Sequence, residues 1–477
     1  MPRTLIKNGT LVTASDTFKA DILIEDETIA QIGTSTTLSA DLEPGSVKVV
    51  DATGRLILPG GIDPHVHLDL PMFGTVSSDD HYTGHKAAAF GGTTTAMDFI
   101  VLEDRGFKYS TELWMEMAQK AAIDYSFHMN LTHFDEKLEK EIPTLVDMGI
   151  TTLKVFTAYN GRLRLDDGGI FRALRVARDH GMLVMAHCEN GDVIETLIPE
   201  ALAAGHTTPE WHALTRPGWG AVEATLRMAA MAETADAPVY IVHMNMAGEV
   251  DMLKYARERG VPVMGETCPP YLFFSVDDLR RPDGAKWICS PPMRSKADNA
   301  RIWQGLSEGI LQTIGTDHCP FFFDGTRPIV YEGQEIAIPG KELGRDDFTK
   351  IPNGLPGIQD RMPILWTHGV RTGKITPNQF VAYMSTNPAK IFGLYPRKGA
   401  LVPGADADIV IWDPEKKVKY GVAMSHQRTD YNLYEGWNLV GYPEKVFLRG
   451  QMIVDGDQWL GRRGGGKFLK RSQGQVI

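Results

Sequence analysis

Short stretches of alternating apolar and polar residues occupy both ends of the chain, and longer apolar runs fill the middle. Near the start, Thr4 to Ile6, Thr10 to Val12, Asp21 to Glu25, Thr28 to Ile32, Val47 to Asp51 and Leu56 to Leu58 read as short strands. Turn signals such as Asn8-Gly9 separate them. No helical period of useful length precedes residue 80. The same pattern returns at Asp408 to Trp412, Lys417 to Tyr420, Val446 to Arg449 and Gln451 to Val454. Two all-β pieces at opposite ends predict one small sheet domain assembled from residues 1–54 and 396–460.

Between them, eight apolar or Thr-rich runs alternate with helix-length stretches. The runs are Leu56 to Ile62, Thr93 to Phe99, Tyr125 to Asn130, Thr151 to Phe156, Leu183 to His187, Tyr240 to His243, Val261 to Glu266 and Leu311 to Gly315. Helical patterns lie at Thr111 to Ala122, Gly169 to His180, Gly220 to Thr234 and Ala247 to Arg259. Eight continuous strands alternating with helices predict an α/β fold, a (β/α)8 TIM-type barrel over residues 55–395. A doubly wound open sheet is the alternative, but no glycine-rich nucleotide fingerprint follows an early strand. The connection from Phe321 to Thr349 is long and carries Gly333, Gly344, Pro328 and Pro339, which suits a lid or an arm over the active face. The basic end, residues 461–477, reads as a solvated tail or an intersubunit arm.

Composition narrows the partners. The 477 residues carry a formal charge of −11, which disfavours nucleic acid or an anionic membrane surface. No apolar stretch approaches the roughly 20 residues of a membrane helix. Met1 to Ala14 lacks the apolar core of a signal peptide, and the four scattered cysteines suit reduced, buried thiols; a cytoplasmic protein is expected.

The chemistry falls at strand ends, where barrel enzymes place their active sites. Strand one ends in Asp63-Pro-His65-Val-His67, strand five in His187-Cys188-Glu189, strand six in His243 and strand eight in Thr316-Asp317-His318-Cys319. A lone buried histidine is commonly a core residue. His65 and His67, two apart in a strand, point to one side, and both can face one metal. Five donors, His65, His67, His187, His243 and Asp317, exceed the usual three of a catalytic zinc and suggest two ions roughly 3.5 to 4 Å apart with a bridging hydroxide. Lys154 sits in the apolar run Leu153-Lys154-Val155-Phe156, where an ammonium is costly. It either pairs with a buried acid, snorkels out of the barrel, or carries a carbamate that bridges the ions. Such a site hydrolyses: Asp317 would carry the proton and Tyr159 would donate to the developing oxyanion, unless Tyr159 is a packing aromatic.

These residues closely resemble the cyclic amidohydrolases, and within them the hydantoinase/dihydropyrimidinase family, over essentially the whole chain. The carrying segments are Pro59-Gly-Gly-Ile-Asp-Pro-His-Val-His-Leu-Asp-Leu-Pro71, Phe90-Gly-Gly-Thr-Thr-Thr95, Lys154-Val-Phe-Thr-Ala-Tyr159 and Ala186-His-Cys-Glu-Asn-Gly-Asp192. Further on come Gly265-Glu-Thr-Cys-Pro-Pro-Tyr-Leu272, Ser290-Pro-Pro-Met-Arg294, Gly315-Thr-Asp-His-Cys-Pro320 and Phe348-Thr-Lys-Ile-Pro-Asn-Gly354. The resemblance implies two zinc ions per subunit. His65, His67 and Asp317 would hold one, His187 and His243 the other, with carboxylated Lys154 and a hydroxide bridging. It implies Tyr159 as the oxyanion donor, and backbone atoms of Ser290 and Asn353 as partners of a small cyclic amide or ureide. Leu68, Leu70, Phe156 and Leu163 match the family's stereochemistry-gate positions. By the same resemblance the terminal pieces, 1–54 and 396–460, would form the family's β-sandwich beside the barrel, and members are usually homotetramers, sometimes homodimers. Dihydroorotases carry an arginine just after the His-x-His pair; here Leu68-Asp69-Leu70 follows, which favours an uncharged dihydropyrimidine or 5-substituted hydantoin. An allantoinase-like activity, or a non-catalytic binding protein such as some animal relatives, is the alternative.

Overall fold

The computed structural model describes residues 3–34, 38, 47–72 and 74–477. The parts of the N-terminal sheet piece at 35–37 and 39–46 lie outside the described residues. A four-stranded sheet has the order Thr28–Gly33, Asp21–Glu25, Arg3–Lys7, Lys48–Asp51. A seven-stranded sheet runs Gln458–Trp459, Gln451–Asp455, Asn438–Leu448, Ile409–Lys419, Leu56–Pro59, Thr10–Val12, Thr17–Lys19, so both chain ends share it.

The period of two explains how this second sheet is buried on both faces. Leu11, Ile57, Ile409 and Ile411 pack against Ile6, Ile22, Ile24 and Ile29 of the four-stranded sheet. Their neighbours Val12, Leu58, Val410 and Trp412 point the other way, into the core that continues under the barrel. The unbroken apolar run Ile409 to Trp412 is thus a strand between two cores.

The barrel strands are Gly61–Val66, Thr93–Ile100, Asp124–Asn130, Thr152–Phe156, Leu183–His187, Val239–Ile241, Val263–Thr267 and Thr313–Ile314, each parallel to the next. Closure is slight: Val66 bridges His318, and the His67 amide donates to the His318 carbonyl at 2.7 Å. The expected first strand, Leu56 to Ile62, is corrected. Its first half pairs with Ile409–Trp412 in the terminal sheet, and only Gly61–Val66 belongs to the barrel. The crossing needs glycine: a Cβ on Gly60 would lie 2.1 Å from Thr94 Oγ1. Helices stand at Phe107–Met117, Asp167–Asp179, Gly218–Ala235 and Ala247–Glu258, close to their expected places. Asp166 begins the second by accepting a bond from the Gly169 amide.

The Phe321 to Thr349 connection carries a hairpin, Ile329–Tyr331 with Gln334–Ile336, then short 3-10 turns at Lys341–Gly344 and Phe348–Lys350. Lys86 pairs with Glu332 at 2.6 Å, and Tyr331 Oη donates to the His426 carbonyl at 3.1 Å, so the hairpin is tied down. The C-terminal segment is not a solvated tail. Leu469 is fully buried and Arg471 nearly so. Leu469 donates its amide to the Tyr125 carbonyl at 2.7 Å, and Arg471 donates its own to Gly149 at 3.0 Å, so the segment lines the N-terminal mouth of the barrel. Its apolar residues close that mouth, which outweighs the attraction of its charges for water. Among the described residues, no helix is long and apolar enough to cross a membrane.

Candidate metal and active site

At the opposite mouth the strand ends bring two donor groups together. The first strand stops between His65 and His67, whose rings lie 5.3 Å apart. Their Nε2 atoms converge on one oxygen, Asp317 Oδ1, at 3.2 and 3.0 Å. One ligand atom from each of the three residues lies within 4.8 Å of the others, as a single cation requires. Behind them, His65 Nδ1 meets Glu266 Oε1 at 2.7 Å. With Glu266 as carboxylate, the ring donates Nδ1–H to it and leaves Nε2 as the free donor, the usual outer support of a metal-binding histidine. Burial pushes the Glu266 carboxyl up to about 7, while bonds from Tyr240 Oη and the His243 amide oppose that. Burial also pushes the Asp317 carboxyl upward, but His65, His67 and Lys154 more than offset it, and it stays below the usual range.

The second group is His187 and His243, with His187 Nδ1 and His243 Nε2 3.0 Å apart. Glu189 Oε2 holds His187 Nε2 at 2.7 Å and is itself held by Arg216 Nη1 at 2.9 Å. Burial opposes ionisation of Glu189, but the Arg216 charge and the His187 bond keep its carboxyl well below the usual range. His187 therefore donates Nε2–H and turns Nδ1 toward His243. Burial holds both rings neutral, pushing their basicity down. His243 Nδ1 is buried with no hydrogen-bond partner among the described residues.

Lys154 stands between the two groups. Its Nζ lies 5.0 Å from the Phe99 ring, which packs on His65 and His67 at 4.6 and 4.9 Å. On the other side it lies 5.2 Å from the Phe156 ring, which packs on His187 at 5.6 Å. The side chain is 1% exposed, so it does not snorkel, and no carboxylate of the described residues is within ion-pair distance. Burial lowers its pKa to about 8, against the pull of Asp317 and Glu266. A neutral amine is the form that can add carbon dioxide.

Past the fourth strand, Tyr159 turns back toward the site at a φ of +69°. Its ring lies 5.3 Å from His187, and the Arg216 guanidinium stands 5.4 Å from it. Burial raises the phenol to about 12, so it keeps its proton. Beside Tyr159, Asn353 Nδ2 donates to Ser290 Oγ at 3.2 Å. Phe156 and Leu163 flank this pocket: the Phe156 ring is 6.1 Å from that of Tyr159, and the Leu163 amide donates to the Tyr159 carbonyl at 3.0 Å. Leu70 packs with Cys319 and Phe321 beside Asp317. Leu68 is not with them. It is fully buried in the main core, its Cδ2 against Gly84 of the Thr83–Phe90 helix.

Residue types alone did not point to Glu266, Glu189, Arg216 or His212, whose Nε2–H donates to the Cys289 carbonyl at 2.9 Å and faces Ser290 Oγ at 3.2 Å. A buried glutamate closing the apolar run Val261 to Glu266 was a usable signal, as was a glutamate two residues past His187. Arg216 offered none. The left-handed backbones of Tyr159, His243 and Asp317, φ +69°, +38° and +52°, were equally hidden, since non-glycine residues uncommonly adopt them.

A barrel with histidine and aspartate donors gathered at its C-terminal mouth defines the class of metal-assisted hydrolases, and residues 56–453 match the profile of the amidohydrolase family. A D-hydantoinase from Geobacillus stearothermophilus is 45% identical over 98% of this chain and 96% of its own length. One from Streptomyces coelicolor is 41% identical over 100% and 99%. The crystal structure of a dihydropyrimidinase from Brevibacillus agri superposes with a TM-score of 0.93 at 46% identity, covering 99% of each chain. An L-hydantoinase from Arthrobacter aurescens superposes at 0.87 with 26% identity over 99% and 100%. The chain belongs to the hydantoinase/dihydropyrimidinase family of the amidohydrolases.

Proposed function

We propose that the protein is a zinc-dependent cyclic amidohydrolase that opens 5,6-dihydropyrimidines and 5-substituted hydantoins to N-carbamoyl amino acids. The convergence of His65 and His67 on Asp317, facing the His187–His243 pair across Lys154, carries this reading. The donor chemistry fits two ions. Two histidines are locked from behind by carboxylates, two ring nitrogens face each other at 3.0 Å, and a buried amine lies between the groups without an acid partner. His65, His67 and Asp317 would hold one zinc and His187 and His243 the other, with Lys154, carboxylated, spanning both. Zinc held there would polarise the amide carbonyl and make water acidic enough to react near neutral pH.

The protein's own groups then act in order. Asp317 takes a proton from the attacking water, whose oxygen joins the carbonyl carbon. The Tyr159 phenol, still protonated, donates to the oxygen as it gains charge. Backbone groups of Ser290 and Asn353 hold the ring. Asp317 passes its proton to the ring nitrogen as the C–N bond breaks, leaving a carboxylate and an N-carbamoyl amine. Leu70, Phe156 and Leu163 would shape the space outside the ring; Leu68, buried under its helix, is left out of that role. Relatives named D-hydantoinase at 41 to 45% identity, against 26% for one named L-hydantoinase, support the D enantiomer. Hydrolysis of dihydrouracil and of racemic 5-phenylhydantoin, with chiral analysis of the product, tests the reading. N-carbamoyl-D-phenylglycine is expected, and turnover of neither ring would refute it.

A further inference from the structure

Lys341 is a buried cation that the reaction does not use. It lies in the long connection after the eighth strand and is 1% exposed. Its Nζ donates to two carbonyls, Ile288 at 3.1 Å and Pro352 at 3.0 Å. Those carbonyls belong to two separate segments. One lies two residues before Ser290, the other one residue before Asn353. The same segments also meet directly: the Gly354 amide donates to Ile288, and Asn353 Nδ2 to Ser290 Oγ.

The lysine is itself held from outside. Its amide donates to the Phe322 carbonyl at 2.7 Å. The neighbouring Glu342 carboxylate accepts from the Gly325 and Gly340 amides at 2.9 Å each. Gly340 can carry no side chain, since a Cβ would lie 2.0 Å from the Phe322 carbonyl oxygen. Asp430 in turn anchors Phe323 and Asp324 by their amides at 2.6 and 2.9 Å. A buried polar side chain persists only when its hydrogen bonds are made, so this much fixed geometry around one amine points to a positioning task.

We propose that Lys341 is a positioning residue that ties the Ser290 and Asn353 segments into one substrate-ring cradle, and that this is the task of the Phe321 to Leu343 connection. The inference rests on the proposed roles of Ser290 and Asn353. Either protonation state serves, because a neutral amine still has protons for two carbonyls; burial brings its pKa down to about 7. The tie sets where the two backbones stand relative to each other, so its loss weakens ring binding and leaves the metal donors and Asp317 as they were.

The test compares wild-type holoenzyme with Lys341→Met, which keeps the apolar stem without a donor, and Lys341→Gln, which keeps two N–H donors one atom short. Steady-state kinetics on dihydrouracil are read beside zinc content and the affinity for N-carbamoyl-β-alanine by calorimetry. The expected result for Lys341→Met is a KM raised about tenfold or more, a weaker product affinity, unchanged zinc and kcat within about threefold, since lost uniform binding appears in KM. Lys341→Gln should fall between. A KM within twofold of wild type in Lys341→Met, or kcat and zinc falling in parallel with KM, overturns the inference. Should Lys341→Met fail to fold, Lys341→Gln decides, and a wild-type KM there overturns it. Absence of wild-type turnover would instead strike the proposed function.

Discussion

The two halves of the donor cluster are built differently. In the first, three ligand atoms already converge, and one of them belongs to an acid, Asp317. In the second, two neutral imidazoles face each other, and the nearby acid, Glu189, holds His187 from behind instead of standing among the facing atoms. A dication on the first half would meet a ligand carboxylate; one on the second would meet none unless Lys154 carried the proposed carbamate. The first half is set by strand geometry, the second by a chain of support from Arg216 through Glu189 to His187. Both halves thus lean on an outer carboxylate, Glu266 or Glu189, but only the first has an acid among its own ligands; under the proposed function the second would depend on modified Lys154.

Removing Lys154 breaks that contrast most sharply. Lys154→Met should keep the first zinc, lose the second, and reduce kcat/KM on dihydrouracil by on the order of 10³-fold or more, as loss of charge stabilisation at the reacting carbonyl requires. Two zincs per chain in that variant would contradict the bridge. Asp317→Asn comes next. Loss of its proton transfer costs about 10² to 10⁴ in kcat, and loss of an acidic donor should lower zinc occupancy of the first half. Outer support follows. Glu189→Gln should weaken the second zinc, and Glu266→Gln the first, each by about 10- to 100-fold in a chelator competition. Equal loss of both zincs from either variant would show that the halves are not independent.

The smallest effect concerns the loop after His67. His81 is fully buried, with Nδ1 2.7 Å from Asp69 and Nε2 3.1 Å from Asp98, and Lys120 reaches Asp69 at 2.8 Å. Burial opposes its charge, but the two carboxylates win and raise its pKa to about 9 from 6.5. A histidine raised on folding stabilises fully below its unfolded pKa, and that contribution fades as pH rises through about 9. A pKa raised from 6.5 to about 9 corresponds to on the order of 3 kcal/mol. Urea unfolding of the wild type should lose stability between pH 7 and pH 10, and His81→Gln should show a flatter profile. Parallel profiles would remove His81 from this role.

Much of this was readable in the sequence. The alternating runs carried the barrel, and the terminal period of two carried the shared sheets. The His-x-His pair carried the first donor group, because strand ends in a barrel face one mouth. What stayed hidden had physical causes. Leu56 to Ile62 reads as one strand because both halves are apolar, and only the steric closeness of Gly60 to Thr94 divides it. Residues 461–477 look solvated because their basic residues mask Phe468 and Leu469, which pack on the barrel base. Leu68 looks like a pocket residue by its place after His67, yet the helix above it takes its side chain. Arg216 and Lys341 act across more than 20 residues of chain, through bonds that no local pattern announces.

The most direct measurement is a zinc titration of the metal-free protein in bicarbonate buffer, with dihydrouracil hydrolysis followed against bound zinc per chain. The account predicts little activity with the first equivalent and a plateau at two. A plateau at one equivalent would contradict the paired site, and no hydrolysis of dihydrouracil or 5-phenylhydantoin at two would contradict the enzyme itself and favour a binding role.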